Sequence, residues 1–141
     1  MATYTKIQDF VEQLGLAVHN LSTHTLRVAL ARSTDPPTAS DAVLGDITQP
    51  TGTGYTALGI DTLNSWAEAA GTGTLTGTKA VWTAGAADWQ SFRYVVLHND
   101  DAIDRLIAFW DYGSDLTLGN GETFSAKFNG SDTTGTIFTI A

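Results

Sequence analysis

The chain has 141 residues, enough for one domain with a substantial core, and its lack of cysteine excludes disulfides and thiol chemistry. Fifteen acidic residues against seven scattered basic ones give a formal net charge of −8. That balance argues against nucleic acid and against anionic membranes as partners, because both are bound through clustered Lys and Arg.

Lys and Glu occur three times each, while Thr, Gly and Ala abound. Thr suits the solvent face of strands, whereas exposed helix faces favour Glu and Lys, so the composition leans to β structure with tight turns. Met1 is followed by ATYTKIQDF, with neither a basic n-region nor a long apolar run. No signal peptide or membrane-spanning helix is expected from it.

Thr5 and Gln8 have capping-box spacing, and Ile7, Phe10, Val11 and Leu14 then fall on one helical face. The pattern predicts a short helix ending near Gly15, either a core-packing cap or an arm used in assembly. Residues 25–31 (TLRVALA) alternate and predict the first strand, with Leu26, Val28 and Leu30 on one face. All three prolines fall within residues 33–55, read as a long surface connection with one helical turn at 40–44.

Residues 58–70 fit both periodicities in part, and extended structure over 63–70 is the expectation. A Gly/Thr ribbon, GTGTLTGTKAVW, carries a strand pair into 80–83. Residues 92–98 (FRYVVLH) read as a strand buried on both faces, followed by an Asn-Asp-Asp turn and a second buried strand over 105–112. Gly119-Asn120-Gly121 marks another turn, with Phe124, Ala126 and Phe128 alternating after it and a last strand over 136–140. Strands about every ten residues predict an antiparallel β-sandwich or jelly roll with one short N-terminal helix. The division expected is a helical segment over 1–22 and a sandwich over 23–141, within one compact unit.

No chemistry-bearing motif competes with this architecture. Asp100, Asp101 and Asp104 lack the ligand offsets, central Gly and terminal Glu of a calcium loop, so they read as a turn, with adventitious calcium as the alternative. His19, His24 and His98 have no zinc-ligand spacing, and His98 reads as a hydrogen-bonded structural residue beside Asp100. TGTGYTALG lacks the Gly-Lys-Ser/Thr end of a phosphate loop, and no Gly-x-Ser-x-Gly elbow exists. No catalytic residue, metal or cofactor is therefore expected. Trp66, Trp82, Trp89 and Trp110, with Tyr55, Tyr94 and Tyr112, could make a sugar-stacking platform. The simpler reading puts Trp82 and Trp110 in the core and leaves Trp89 as the tryptophan expected to be partly exposed.

The order of segments resembles a family of tailed-phage virion proteins described as head decoration, capsid cement or tail-fibre-like. The resemblance is carried by Gly54-Tyr55, Ala80-Val81-Trp82-Thr83, Ala87-Asp88-Trp89, the strands over 92–98 and 106–110, and Gly119-Asn120-Gly121-Glu122-Thr123-Phe124. It spans residues 26–140, and residues 64–70 depart from it. It implies a non-enzymatic β-sandwich that oligomerises, as a trimer ahead of a dimer, on the capsid exterior and bridges major capsid subunits. The alternative is a tail-associated module binding host-surface glycan. On this reading the contact surface comprises Ile7, Phe10, Val11 and Leu14 of the helix, Pro36, Pro37 and Tyr55 of the connection, and Trp89.

Overall fold

The computed structural model describes residues 2–141. Ten strands and one helix follow in the order β1 (Thr3–Lys6), α1 (Gln8–Gly15), β2 (Leu26–Ala31), β3 (Ile60–Asp61), β4 (Ser65–Ala69), β5 (Thr72–Thr78), β6 (Ala80–Thr83), β7 (Phe92–Asn99), β8 (Arg105–Leu116), β9 (Thr123–Ala126) and β10 (Thr134–Ile140). They form an antiparallel β-sandwich: a five-stranded sheet in the order β1-β8-β7-β2-β3, a three-stranded sheet β10-β5-β4, and the pair β6-β9. Among the described residues no helix is long and apolar enough to cross a membrane.

The centre of the large sheet holds the core. Leu26, Val28 and Leu30 of β2, Val96 and Leu97 of β7, and Leu106, Ile107 and Ala108 of β8 are closed to solvent. Leu75 of β5 and Trp82 of β6 join the same buried cluster from the smaller sheets. Both faces of β2 and β7 are covered for most of their length, which is why these runs are nearly continuously apolar. The Gly/Thr ribbon forms β5, where Trp66 of β4 lies across Gly73 so closely that any Cβ there would enter the indole. Gly73 is thus the room made for a tryptophan on the neighbouring strand.

The N-terminus departs from expectation. Thr5 does not cap the helix; it sits in β1, where Thr3–Lys6 pairs antiparallel with residues 108–111 of β8. Ile7 takes the N-cap position without a side-chain bond, and the Gln8 N–H donates instead to the Ala39 carbonyl at 2.8 Å. An open sheet edge satisfies the backbone of all four residues of β1 better than a single capping hydroxyl does. Within the stretch expected to be helical, β1 therefore belongs to the main sheet and α1 follows it.

Residues 32–59 are more than a surface connection. The Arg32 N–H donates to Thr48 O, the Leu44 N–H to Asp104 O and the Leu106 N–H to Ala42 O, while Pro37, Leu44, Ile47 and Pro50 are buried. The helical turn expected over 40–44 falls instead at Leu44–Asp46, a 3₁₀ turn set by the Asp46 carboxylate, which accepts from the Ala42 and Val43 N–H groups at 2.9 and 3.0 Å. These bonds pair backbone groups of a proline-rich segment that forms no regular ladder.

Candidate functional site

The feature best suited to binding is an apolar cleft between the β1 side of the large sheet and strands β9 and β10. It has a volume of about 290 Å³ and is lined chiefly by Val95, Trp110, Tyr112, Phe124, Phe128 and Ile137. Trp110 and Tyr112 are two apart on β8 and therefore project to the same face. Trp110 is held between Tyr4, at 5.5 Å, and Phe128, at 5.9 Å between ring centroids. Tyr112 meets Phe124 edge-on at 6.1 Å, and Phe124 in turn packs on Phe92 and stacks on Trp82. The inner rings are anchored in the core, whereas Tyr4 and Tyr112 are about half exposed.

Strand pairing explains why this cleft stays open. β1 covers the outer edge of β8 only as far as Thr3 opposite Asp111, and Gly113, at φ 98°, bends the strand just beyond. Residues 112–115 are exposed on that edge. Arg93 forks onto Asp111 at 2.7 and 3.0 Å, fixing the strand at the point where cover ends and holding the Asp111 carboxyl below its usual range. Burial against Trp110 accompanies a raised Tyr4 phenol pKa, so that hydroxyl stays protonated and available as a donor. A cleft of this size matches one or two apolar side chains rather than an extended cofactor.

A second concentration of functional groups lies where β2 begins and β7 ends. His98 is fully buried, with Nε2 2.9 Å from the Leu58 carbonyl and Nδ1 3.2 Å from Asp104 Oδ1, the latter pair misaligned for a hydrogen bond. Burial lowers its pKa. Asn99 reaches His19 and His24 at 3.0 Å each. Among the described residues, the histidines' hydrogen-bond partners are peptide and amide groups, and no serine or threonine hydroxyl is among them. The three aspartates of the turn diverge: Asp100 pairs with Arg27 at 3.0 Å, Asp101 accepts the Thr25 N–H at 2.6 Å, and Asp104 faces His98. Each carboxylate is directed at a different neighbour, and no three metal-ligating side chains converge among the described residues.

The residues expected at a contact surface scatter. Ile7, Phe10, Pro37 and Trp89 are buried, so they cannot offer an exposed face. Ile7 and Phe10 belong to the core cluster, and Phe10 meets Phe138 edge-on at 5.7 Å. Leu14 and Tyr55 are half-buried against the core, leaving Val11 and Pro36 exposed. Trp89, expected to be partly exposed, is only 5% exposed: its indole N–H donates to Thr53 O at 2.8 Å, and its ring meets Tyr55 and Phe92 edge-on. Asp88 beside it accepts from the Thr53 N–H and hydroxyl at 2.9 and 2.7 Å. The Gly-Tyr and Ala-Asp-Trp segments are thus two halves of one loop lock. Conversely Trp110, expected in the core, is a half-buried wall of the cleft. Its alternation with Tyr112 was visible in the chain, but which strand covers that face was not.

No family model matches the chain, and no curated protein or solved structure matches it.

Proposed function

We propose that the protein is a non-enzymatic virion component that seats on the outer surface of a phage capsid and bridges major capsid subunits as a cement or decoration protein. The observation that carries this reading is the open cleft of Trp110, Tyr112, Phe124 and Phe128 beside the exposed edge of β8. Tryptophan and tyrosine at the rim of an apolar hollow are the residues that dominate binding energy in protein interfaces. The order of segments resembling phage virion proteins supplies the partner, and a formal charge of −8 suits a surface facing solvent rather than packaged genome. Oligomerisation, as a trimer ahead of a dimer, would multiply modest contacts through avidity.

The test is to mix the purified protein with capsids of its phage that lack it. Saturable binding and greater resistance of the shell to heat and low salt are expected, with both lost in Tyr112→Glu. Capsids that bind nothing overturn the reading. The second reading, host-surface glycan binding, draws on the same Trp110 and Tyr112 rings, since Trp89 is buried. Glycan-array binding sensitive to Tyr112→Glu, without capsid binding, would favour it.

A further inference from the structure

We propose that residues 16–25, the connection from α1 to β2, are latched to the end of the large sheet by a two-histidine clamp on Asn99 that holds only while the His19 imidazole is neutral, so that acid opens it. This does not depend on the capsid reading. Asn99 is closed to solvent, and its orientation is set by its own partners: Oδ1 accepts the Asp101 N–H at 3.1 Å. Its amide nitrogen therefore faces His19 Nδ1 and His24 Nδ1, each 3.0 Å away, and spends one hydrogen on each. His24 Nδ1 also lies 3.4 Å from the Asn20 N–H, a second donor aimed at the same lone pair. Both rings must then carry their hydrogen on Nε2. An imidazolium would point an Nδ1–H at an N–H donor, turning each attraction into a repulsion.

The surroundings offer a charged imidazole little relief. His19 is nearly closed to solvent, and its Nε2 has no partner. Asp9 of α1 and Arg105 of β8 face it, but they are committed to each other at 2.6 Å. Near His24 the Asp101 carboxylate is taken by the Thr25 N–H. His98, adjacent to Asn99, faces Asp104, Asp100 and Arg27, the last two paired together. Burial and Arg105 hold His19 down at about 4, against 6.5 for a free imidazole. What remains of the latch is the Asp101 carboxylate on the Thr25 N–H, which stays ionised across this range, and neutral Asn64, which donates to Leu21 O and His24 O at 2.9 and 3.1 Å. The latched segment also walls a cavity of about 320 Å³ with Trp66 and Ile140, so releasing it uncovers apolar surface around Leu21.

Long-range imidazole NMR spectra and amide exchange on the full chain test this. At neutral pH both His19 and His24 are expected as the Nε2–H tautomer; an Nδ1–H signal from either overturns the clamp. Between about pH 7.5 and about pH 5, exchange of the amides of residues 20–25 and Asp101, corrected for intrinsic rate, should rise about thirty-fold, because the open state binds a proton that the closed state refuses. Unchanged protection there also overturns the proposal. His19→Phe packs against the same Phe10 ring and cannot titrate, so it should lose most of the acid response, and a full response in it counts against the clamp. Asn99→Asp should reverse the trend, since a carboxylate accepts from protonated histidine; an undiminished acid opening in a folded Asn99→Asp protein contradicts the mechanism.

Discussion

Two tyrosine–tryptophan pairs, Tyr55 with Trp89 and Tyr112 with Trp110, have the same chemistry and opposite fates. In the first, the Tyr55 hydroxyl lies 2.6 Å from Gln49 Oε1 and accepts the Leu30 N–H at 3.1 Å, while the Trp89 indole donates to Thr53 O. Every polar atom of the pair is used to close a loop, and the rings meet edge-on at 5.5 Å. In the second, Trp110 is wedged between Tyr4 and Phe128, but the neighbouring strand stops opposite Asp111 and Tyr112 stays half exposed. An aromatic pair becomes core when adjacent backbone needs its polar ends and covers its faces. It becomes surface where that cover stops, whatever the local sequence looks like.

The sharpest way to break the comparison is Trp89→Ala. Removing a buried indole with its hydrogen bond and two ring contacts should cost about 3–5 kcal/mol, read by urea denaturation. A loss under about 1 kcal/mol would place Trp89 outside the core. Acid should act next in size. His19 binds its proton more weakly folded than unfolded, so the unfolded chain gains protons first as pH falls. Stability should therefore begin to drop below about pH 6.5 and level off below about pH 4, by about 3 kcal/mol from this residue. Equilibrium unfolding across that window checks it, and His19→Phe should flatten the curve.

Much of the fold was legible because it is written in local periodicity. The alternation in β2, the two-sided apolar run of β7 and the Gly-Asn-Gly turn before β9 each depend on neighbours in sequence. Three features depend on pairing between distant segments and left no local mark. Thr5 could as well cap a helix as extend an edge strand until the free side of β8 is known. Pro37, Leu44 and Ile47 look like loop residues until Asp104 O accepts the Leu44 N–H and Arg105 pairs with Val43, tying the segment to the sheet. Trp89 precedes a strand and reads as partly exposed, because Thr53, its acceptor, lies 36 positions away. The cleft was missed for the same reason: Trp110 and Tyr112 sit in an apolar strand, and nothing nearby in the chain says which face remains uncovered.

Tyr55→Phe should fall between the large effects and the small one. It keeps the ring against Trp89 but strands the Leu30 N–H and removes the contact with Gln49, for a cost of about 1–2 kcal/mol. A neutral result would mean that ring packing alone closes this loop.

Tyr112→Glu should barely move stability, within about 0.5 kcal/mol, because the side chain is half exposed and its hydroxyl closes no loop. Yet it places a charge at the mouth of an apolar cleft, where a docking side chain would have to desolvate it. The same change should therefore abolish the proposed capsid binding while thermal unfolding of the free protein stays where it was. Intact binding by a folded Tyr112→Glu protein would move the contact surface elsewhere, with Val11 and Pro36 the exposed remnants of the helix and the connection. The pair of variants separates the two aromatic regions cleanly: Trp89→Ala should lose binding only in proportion to the fraction unfolded, and Tyr112→Glu should lose it while folded.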